Sequence, residues 1–311
     1  MRYVLGRLVS TALTFLAITL FVFVAFFRIP GATAGRQHPP DQYRIHGSLL
    51  GQYVHYLWAL VRHGDLGYSY ATREAVTTRL LQGAPVTLSL VLGGLVVWLL
   101  IALPLGILSA LRPRRLADRV STLFVFAGVS IHPVWLGLML SWTFGRYLHV
   151  VPAAGYCSIT DLSTGCDGLG RWASHLLLPW LTFGLVNAAL FTTMVRALLQ
   201  EELKADYVRT ALGKGAGSLR IVRAHLLRNV MLPLTTMVGL LAGTSVAGVI
   251  FVESAFNLPG LGGTLRQATL RQDLPMTAGA VLFLTLAVVA LNLAVDLAYA
   301  VVDPRVRLMR G

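Results

Sequence analysis

The chain has 311 residues, 56% of them hydrophobic and 13% charged, with 26 Lys/Arg against 13 Asp/Glu for a formal net charge of +13. An ordinary soluble domain carries about 25% charged residues, so this composition excludes one and indicates an integral membrane protein. A basic excess in a soluble chain would suggest nucleic acid; here it gathers in alternate connecting segments without interleaved aromatics, so no nucleic acid is expected and the charge is an orientation signal.

Six apolar runs are long enough to cross a hydrocarbon core, which needs about 20 residues. They are Leu8 to Phe27, Val86 to Leu111, Ser121 to Phe144, Leu176 to Leu199, Val230 to Val252 and Met276 to Val302. The predicted fold is therefore all-α and integral to the membrane, with six transmembrane helices in a single domain over residues 1–311. Arg2 and Arg7, the cluster Arg112, Arg114, Arg115 and Arg119, and Arg305, Arg307 and Arg310 then share one side, which places both termini in the cytoplasm. Ala32-Thr33-Ala34 after the first run resembles a signal-peptide cleavage site. The apolar core before it exceeds the roughly 7 to 15 residues of a signal sequence, so an uncleaved anchor is expected.

Residues 28–85 form an outer segment between the first two spans. Within it Leu49, Leu50, Tyr53, Leu57, Leu60 and Val61 recur near helical period. That pattern predicts an amphipathic helix lying on the membrane surface or on the protein's own outer face. Gly64 to Val76, GDLGYSYATREAV, follows as a turn leading into a helix start. In the third run, His132 beside Pro133 marks a broken-helix position whose freed backbone groups need neighbours, and no further ligands stand near it for a metal. Cys157 and Cys166 both fall in the next outer loop, where an oxidising compartment and short separation permit a disulfide; two free thiols are the alternative.

Residues 200–229 are a basic, glycine-broken loop much longer than joining two helices requires. Ala205 to Leu212 has the composition of a short helix, Gly213, Gly215 and Gly217 end it, and Leu219, Val222 and Leu226 return at helical spacing. This is the shape of a docking element. Gly213 to Ser218 is no phosphate loop, since its glycines and lysine stand in the wrong order, so the chain should not bind ATP or be an enzyme.

The fifth run carries Gly239 and Gly243 as a small-xxx-small face, followed by Thr244, Ser245 and Gly248. Close helix packing explains this, and room for a substrate is compatible with it. Residues 253–275 are a second outer element, in which Pro259-Gly260 and Gly262-Gly263 force a reversal and Leu265 to Leu270 can form a short helix. Asp296 is the one acid deep in a span, one turn after Asn292. A structural partner in the bundle or a snorkelling contact is a better account of it than a proton relay.

Several of these segments together resemble the B-type permeases of the dipeptide and oligopeptide branch of ABC importers. DYVRTALGKG followed by HLLRNVMLP is similar to that branch's coupling motif, with Arg209-Thr210-Ala211 standing for the general E-A-A and Gly215 for the motif glycine. GDLGYSYAT and the E-x-x-F-x-x-P-G-L-G segment from Glu253 to Gly262 resemble its outer elements, although Leu258 stands where an aromatic is frequent. The resemblance implies a type I ABC importer permease in the bacterial plasma (inner) membrane. It implies ATPase coupling through Asp206, Tyr207, Arg209, Thr210, Ala211, Lys214 and Gly215, and binding-protein contact through Phe256, Pro259, Gly260, Leu261 and Gly262. It also implies partners: a C-type permease chain as heterodimer, two ABC ATPase subunits holding ATP and Mg, an extracytoplasmic peptide-binding protein and the lipid bilayer, with no cofactor in this chain. The expected function is half of a pathway for di- or oligopeptides by alternating access. Nickel, haem or glutathione permeases of the same family are alternatives, and a proton-coupled secondary transporter would need more intramembrane ionisable residues than Asp296.

Overall fold

The computed structural model describes residues 2–27, 48–69, 71–158, 166, 168–213 and 227–302. Apart from turns and one isolated bridge between Tyr68 and Ala75, the described residues are helical. In chain order the helices are α1 (Arg2–Phe27), α2 (Leu49–His63), α3 (Val76–Leu111), α4 (Leu116–Ser130) and α5 (Pro133–Leu140), which runs on as a π-helical turn, Ser141–Tyr147. After these come α6 (Leu169–Glu202), α7 (Asp206–Gly213), α8 (Leu227–Phe256), α9 (Leu261–Leu270) and α10 (Leu274–Val302).

Among the described residues four helices are long and apolar enough to cross a membrane, within α3, α6, α8 and α10, and a fifth span results if the bent pair α4 and α5 is counted as one. The expected third span is thus not a straight helix. The chain bends there by 106°, because Pro133 has no N–H and pushes the residue before it out of helical geometry. His132 is accordingly extended (φ −72°, ψ 137°), caps α5 by accepting the Val134 N–H on its ring nitrogen at 3.3 Å, and leaves Pro133 at the first helical position. Helix α3 also begins ten residues earlier than the second apolar run, at Val76.

The chain divides into two compact units, Met1–Ser89 with Asn257–Leu293 and Leu90–Phe256 with Ala294–Gly311. In the first, α1 packs on α2 through Phe23, whose ring centroid lies 5.4 Å from that of Tyr53 and 6.0 Å from that of Tyr56. The second is centred on Trp98 and Phe191, set edge to face at 5.4 Å and surrounded by Ala102, Val195, Leu199, Val208, Val230 and Leu234.

What lets α3 and α6 approach in the second unit is glycine. A Cβ at Gly93 would lie 2.1 Å from the Trp180 ring, one at Gly94 2.5 Å from Phe183, and one at Gly106 2.6 Å from Val195, while Gly184 reciprocates against Val97. Helices in lipid gain little from burying apolar surface against each other, so close van der Waals contact at small residues carries their association. The glycines singled out from sequence, Gly239 and Gly243, are buried on α8. Replacing Gly106 by Leu should cost roughly 1–3 kcal/mol by overpacking. The check is thermal unfolding of the detergent-solubilised protein: the midpoint should fall in Gly106→Leu and stay near wild type in Gly6→Leu, where nothing lies within 4 Å of an added Cβ.

Candidate functional site

Three groupings of polar side chains stand out, and two of them coincide with segments the sequence singles out. On the loop between α6 and α8, α7 is a two-turn helix with one seated face. Val208 is fully buried in the cluster that includes Leu199 and Val230. Beside it the Tyr207 hydroxyl donates to Glu202 Oε1 at 2.7 Å, and the Asn229 side-chain amide donates to the same oxygen at 3.1 Å. One carboxylate at the end of α6 therefore ties α7 to α6 and α8. Burial, and then the bond to Glu202, push the Tyr207 phenol above its ordinary value, with the Asn229 contact opposing, so the hydroxyl stays a donor.

The other face of α7 is open. Asp206 and Arg209 are exposed and 3.8 Å apart, and Thr210 is exposed with its hydroxyl turned back on the Asp206 carbonyl at 2.9 Å. Ala211 lies on the same helix. Lys214 and Gly215 lie outside the described residues, as do Gly217, Leu219, Val222 and Leu226. The expected helix over 205–212 is thus found one residue later, Asp206–Gly213.

The second grouping builds the GDLGYSYAT segment, of which Tyr70 lies outside the described residues. Gly64 closes α2 in the left-handed conformation (φ 63°), a step glycine makes without steric cost. Asp65 Oδ1 accepts the Gly67 N–H at 2.9 Å, and Thr77 Oγ1 joins the two ends of the turn by donating to the Gly64 carbonyl at 2.7 Å and accepting the Leu66 N–H at 3.1 Å. Ser69 then donates to the buried Asp273, whose Oδ2 also accepts the Ala71 N–H at 3.3 Å, while Thr72 donates to Ser69 Oγ at 2.7 Å. Asp273 meanwhile caps α10 through the Met276 N–H. In the same unit the P-G-L-G turn is clamped to α3. The Leu261 N–H donates to Thr87 Oγ1 at 2.9 Å, and a Cβ on Gly83 would lie 3.1 Å from the Gly260 carbonyl carbon.

That turn places the sequence-selected residues unequally. Asn257 ends α8 at φ 51°, Pro259 is exposed, and Phe256, Gly260, Leu261 and Gly262 are buried. Phe256 packs against Gly137 of α5, and its carbonyl accepts the Gly155 N–H at 2.9 Å. The short helix starts at Leu261, four residues before the Leu265 expected. Cys157 and Cys166 are placed as a disulfide with Cα atoms 5.5 Å apart, both buried. Mass spectrometry of the non-reduced, denatured protein after alkylation should find neither thiol modified; two alkylated cysteines would refute the pairing.

The third grouping was not visible in sequence. Buried Asp118, in the first turn of α4, accepts the Ser109 hydroxyl of α3 at 2.6 Å and the Arg114 N–H at 2.8 Å. Arg196 of α6 reaches it with Nη2, 2.9 Å from Oδ1 and 3.1 Å from Oδ2. Three helices meet at one carboxylate. Asp118 stands among Arg112, Arg114, Arg115 and Arg119, and Arg196 lies within the fourth apolar run, so neither is marked in sequence as the partner of the other. The pairing is 78 residues apart in the chain, which no local pattern reveals. Asp296 lies on α10, and its side chain is outside the described residues.

Residues 102–308 match the family model described as binding-protein-dependent transport system inner membrane component. The chain belongs to that family. It is a multi-pass inner-membrane permease subunit of an ABC importer and not an enzyme, and such a component acts with the other subunits of its transport system. It is 34% identical to the dipeptide transport system permease protein DppB of Escherichia coli (strain K12), over 99% of each chain. It is 31% identical to the di/tripeptide transport system permease protein DppB of Pseudomonas aeruginosa (strain UCBPP-PA14), over 100% of each. A chain of the MetNI methionine ABC transporter, solved in inward facing conformations, shares the fold with a TM-score of 0.56 at 18% identity, covering 72% of this permease and 96% of that chain. The family model begins in the last third of α3, so α1, α2 and the 64–75 turn lie outside it and inside the relatives' alignments.

Removing Arg196 leaves Asp118 with two donors in place of three. Its side chain is 10% exposed and that of Arg196 32%, so partial screening limits the loss to about 2 kcal/mol. Arg196→Ala should lower the unfolding midpoint more than Arg196→Lys, and Asp118→Asn should lose less than Arg196→Ala because no buried charge is stranded.

Proposed function

We propose that this permease forms one half of the translocation pathway of a bacterial importer for di- or oligopeptides, the other half being a C-type permease chain. Two ABC ATPases act from the cytoplasmic side, and an extracytoplasmic peptide-binding protein delivers the substrate. In this reading the whole chain, 1–311, is one permease domain of six spans with both termini in the cytoplasm, α1 being the first span and the bent α4–α5 pair the third. The peptide class rests on the substrates that relatives of full-length alignment carry in their names.

The observation that carries the mechanism is the two-faced seating of α7. A docking element must offer an outward surface and must also be fixed to what it moves. Asp206, Arg209 and Thr210 supply the surface, while Val208 and the Tyr207–Glu202–Asn229 cluster fix α7 to α6 and α8. Closure of the ATPases would carry α7 inward and the two long helices with it. Alternating access then follows as rocking of one permease half against the other. On the outer side the fixed turn at Pro259 and the exposed positions Gln267, Leu270 and Arg271 of the short helix and its end face the binding protein. Phe256, Gly260, Leu261 and Gly262 act there by holding that surface in place.

The test is ATP hydrolysis by the purified complex with binding protein and dipeptide present. Val208→Asp puts a charge into the cluster under α7 and should abolish ligand-stimulated hydrolysis while membrane insertion, governed by the apolar spans, persists. Arg209→Glu should weaken stimulation less and in a salt-dependent manner, because it reverses one exposed charge. Wild-type stimulation in both variants would remove α7 from the coupling pathway.

A further inference from the structure

Helix α2 divides into three sectors when its residues are set 100° apart. Tyr56, Leu60, Tyr53 and Leu57 fall within about 100° of arc, and this is the protein-facing side: Tyr56 is buried, the other three are half-buried, and Tyr53 and Tyr56 both meet Phe23 of α1. Gln52, His55, Arg62 and His63 share a polar arc of roughly 100°, centred about 120° from the first, three of them exposed. Between these two lies a stripe about 80° wide made of Leu50, Val54, Trp58 and Val61, exposed by 76%, 55%, 51% and 69%. A helix resting on water alone has no use for a third, apolar and uncovered sector.

We propose that this stripe is buried in the outer leaflet, so that α2 is an interfacial helix packed on one side by α1, on the second by phospholipid acyl chains, and turned to water on the third. The inference rests on α1 crossing the membrane.

Depth is the first argument. Tyr53 donates to the Leu16 carbonyl at 3.3 Å and is bonded to Thr19 Oγ1 at 3.0 Å, and Phe23 holds both tyrosines. Along α1, at 1.5 Å per residue, Leu16 is about 16 Å, Thr19 about 12 Å and Phe23 about 6 Å from the last residue, Phe27. Half of a hydrocarbon core is about 15 Å, so these contacts run from the outer acyl chains to the bilayer centre. The second argument is continuity. On α1 itself Val9, Leu13, Leu16, Leu20 and Val24 form an exposed apolar face at helical spacing, the kind a span presents to lipid. The third is the edge between the apolar and polar sectors. Trp58 sits there with the Arg62 guanidinium 5.2 Å from its ring centroid and the His63 ring 5.0 Å away. An indole at headgroup level with a cation beside it, in reach of lipid phosphate, is how interfacial helices hold their depth.

The experiment uses the assembled complex in liposomes of phosphatidylethanolamine and phosphatidylglycerol, with Cys157→Ser and Cys166→Ser as background. Single cysteines replace Val54, Val61, His55 and Arg62 on α2, and Leu13 and Leu20 on α1, and each carries a nitroxide whose collisions with oxygen and with a water-soluble nickel chelate are measured. Labels at 54 and 61 should favour oxygen over the chelate several-fold relative to labels at 55 and 62, and the α1 labels should behave like those at 54 and 61. Chelate access at 54 and 61 with oxygen-rich α1 labels would overturn the interfacial helix and leave the span intact. Low access to both reagents at 54 and 61 would show a protein partner on the stripe and also overturn it. Chelate access at 13 and 20 would overturn the α1 span and the depth argument together.

Discussion

A carboxylate withdrawn from water must collect donors or lose its charge, and that requirement organises both units of this permease. In one, Asp273 gathers Ser69, the Ala71 N–H and the start of α10. In the other, Asp118 gathers Ser109, the Arg114 N–H and Arg196. The surrounding side chains are largely apolar and could slide past one another at small cost in a lipid setting, where association gains nothing from expelling water. Directional bonds to a fixed charge do not slide. They set the register of α3, α4 and α6, and they convert a run of glycine, serine and threonine into one turn of defined shape.

Close glycine packing and these carboxylates are complementary. Gly93, Gly94 and Gly106 bring α3 within contact of Trp180, Phe183 and Val195, and at that separation Ser109 and Arg196 can reach the same acid. A bulkier face on α3 would hold the helices apart and leave Asp118 short of its partners, so the packing and the polar pair must be read as one arrangement.

Much of this was legible in the chain. Apolar run length marked the positions of the long helices, and the short helix of the 200–229 loop was recognisable because a segment of helical composition precedes Gly213, Gly215 and Gly217. Pro133 announced a break, although the size of the bend depends on where α5 packs, which no local pattern contains. The outer motif was recognised without its reason: Ser69 finds its acid 204 residues away, and a hydroxyl in a turn carries no mark of such a partner. Phe256, Gly260, Leu261 and Gly262 sit in an outer motif, and sequence alone does not reveal that they are buried while Pro259 beside them is exposed. Arg196 was hidden for the opposite reason, since a basic residue near a span end usually signals topology alone.

If closure of the ATPases pushes α7 as proposed, the polar contacts around it decide how that push becomes movement. Glu202 sits six residues after Arg196 on α6, so the two polar anchor points lie within two turns of one helix. In the proposed mechanism, force applied to α7 would pass to Glu202 through Tyr207 and to α8 through Asn229 and Val230, whereas Arg196 would deliver it to α4 and, through Asp118 and Ser109, to the end of α3. A single apolar contact would yield under such a load by rotamer change, at a cost of about 1 kcal/mol. A carboxylate held by three donors yields only by exposing charge or stranding donors, which costs more. The polar points therefore keep α6 and its neighbours moving as one body, which is what a permease half must do if rocking, rather than local bending, is to open the pathway.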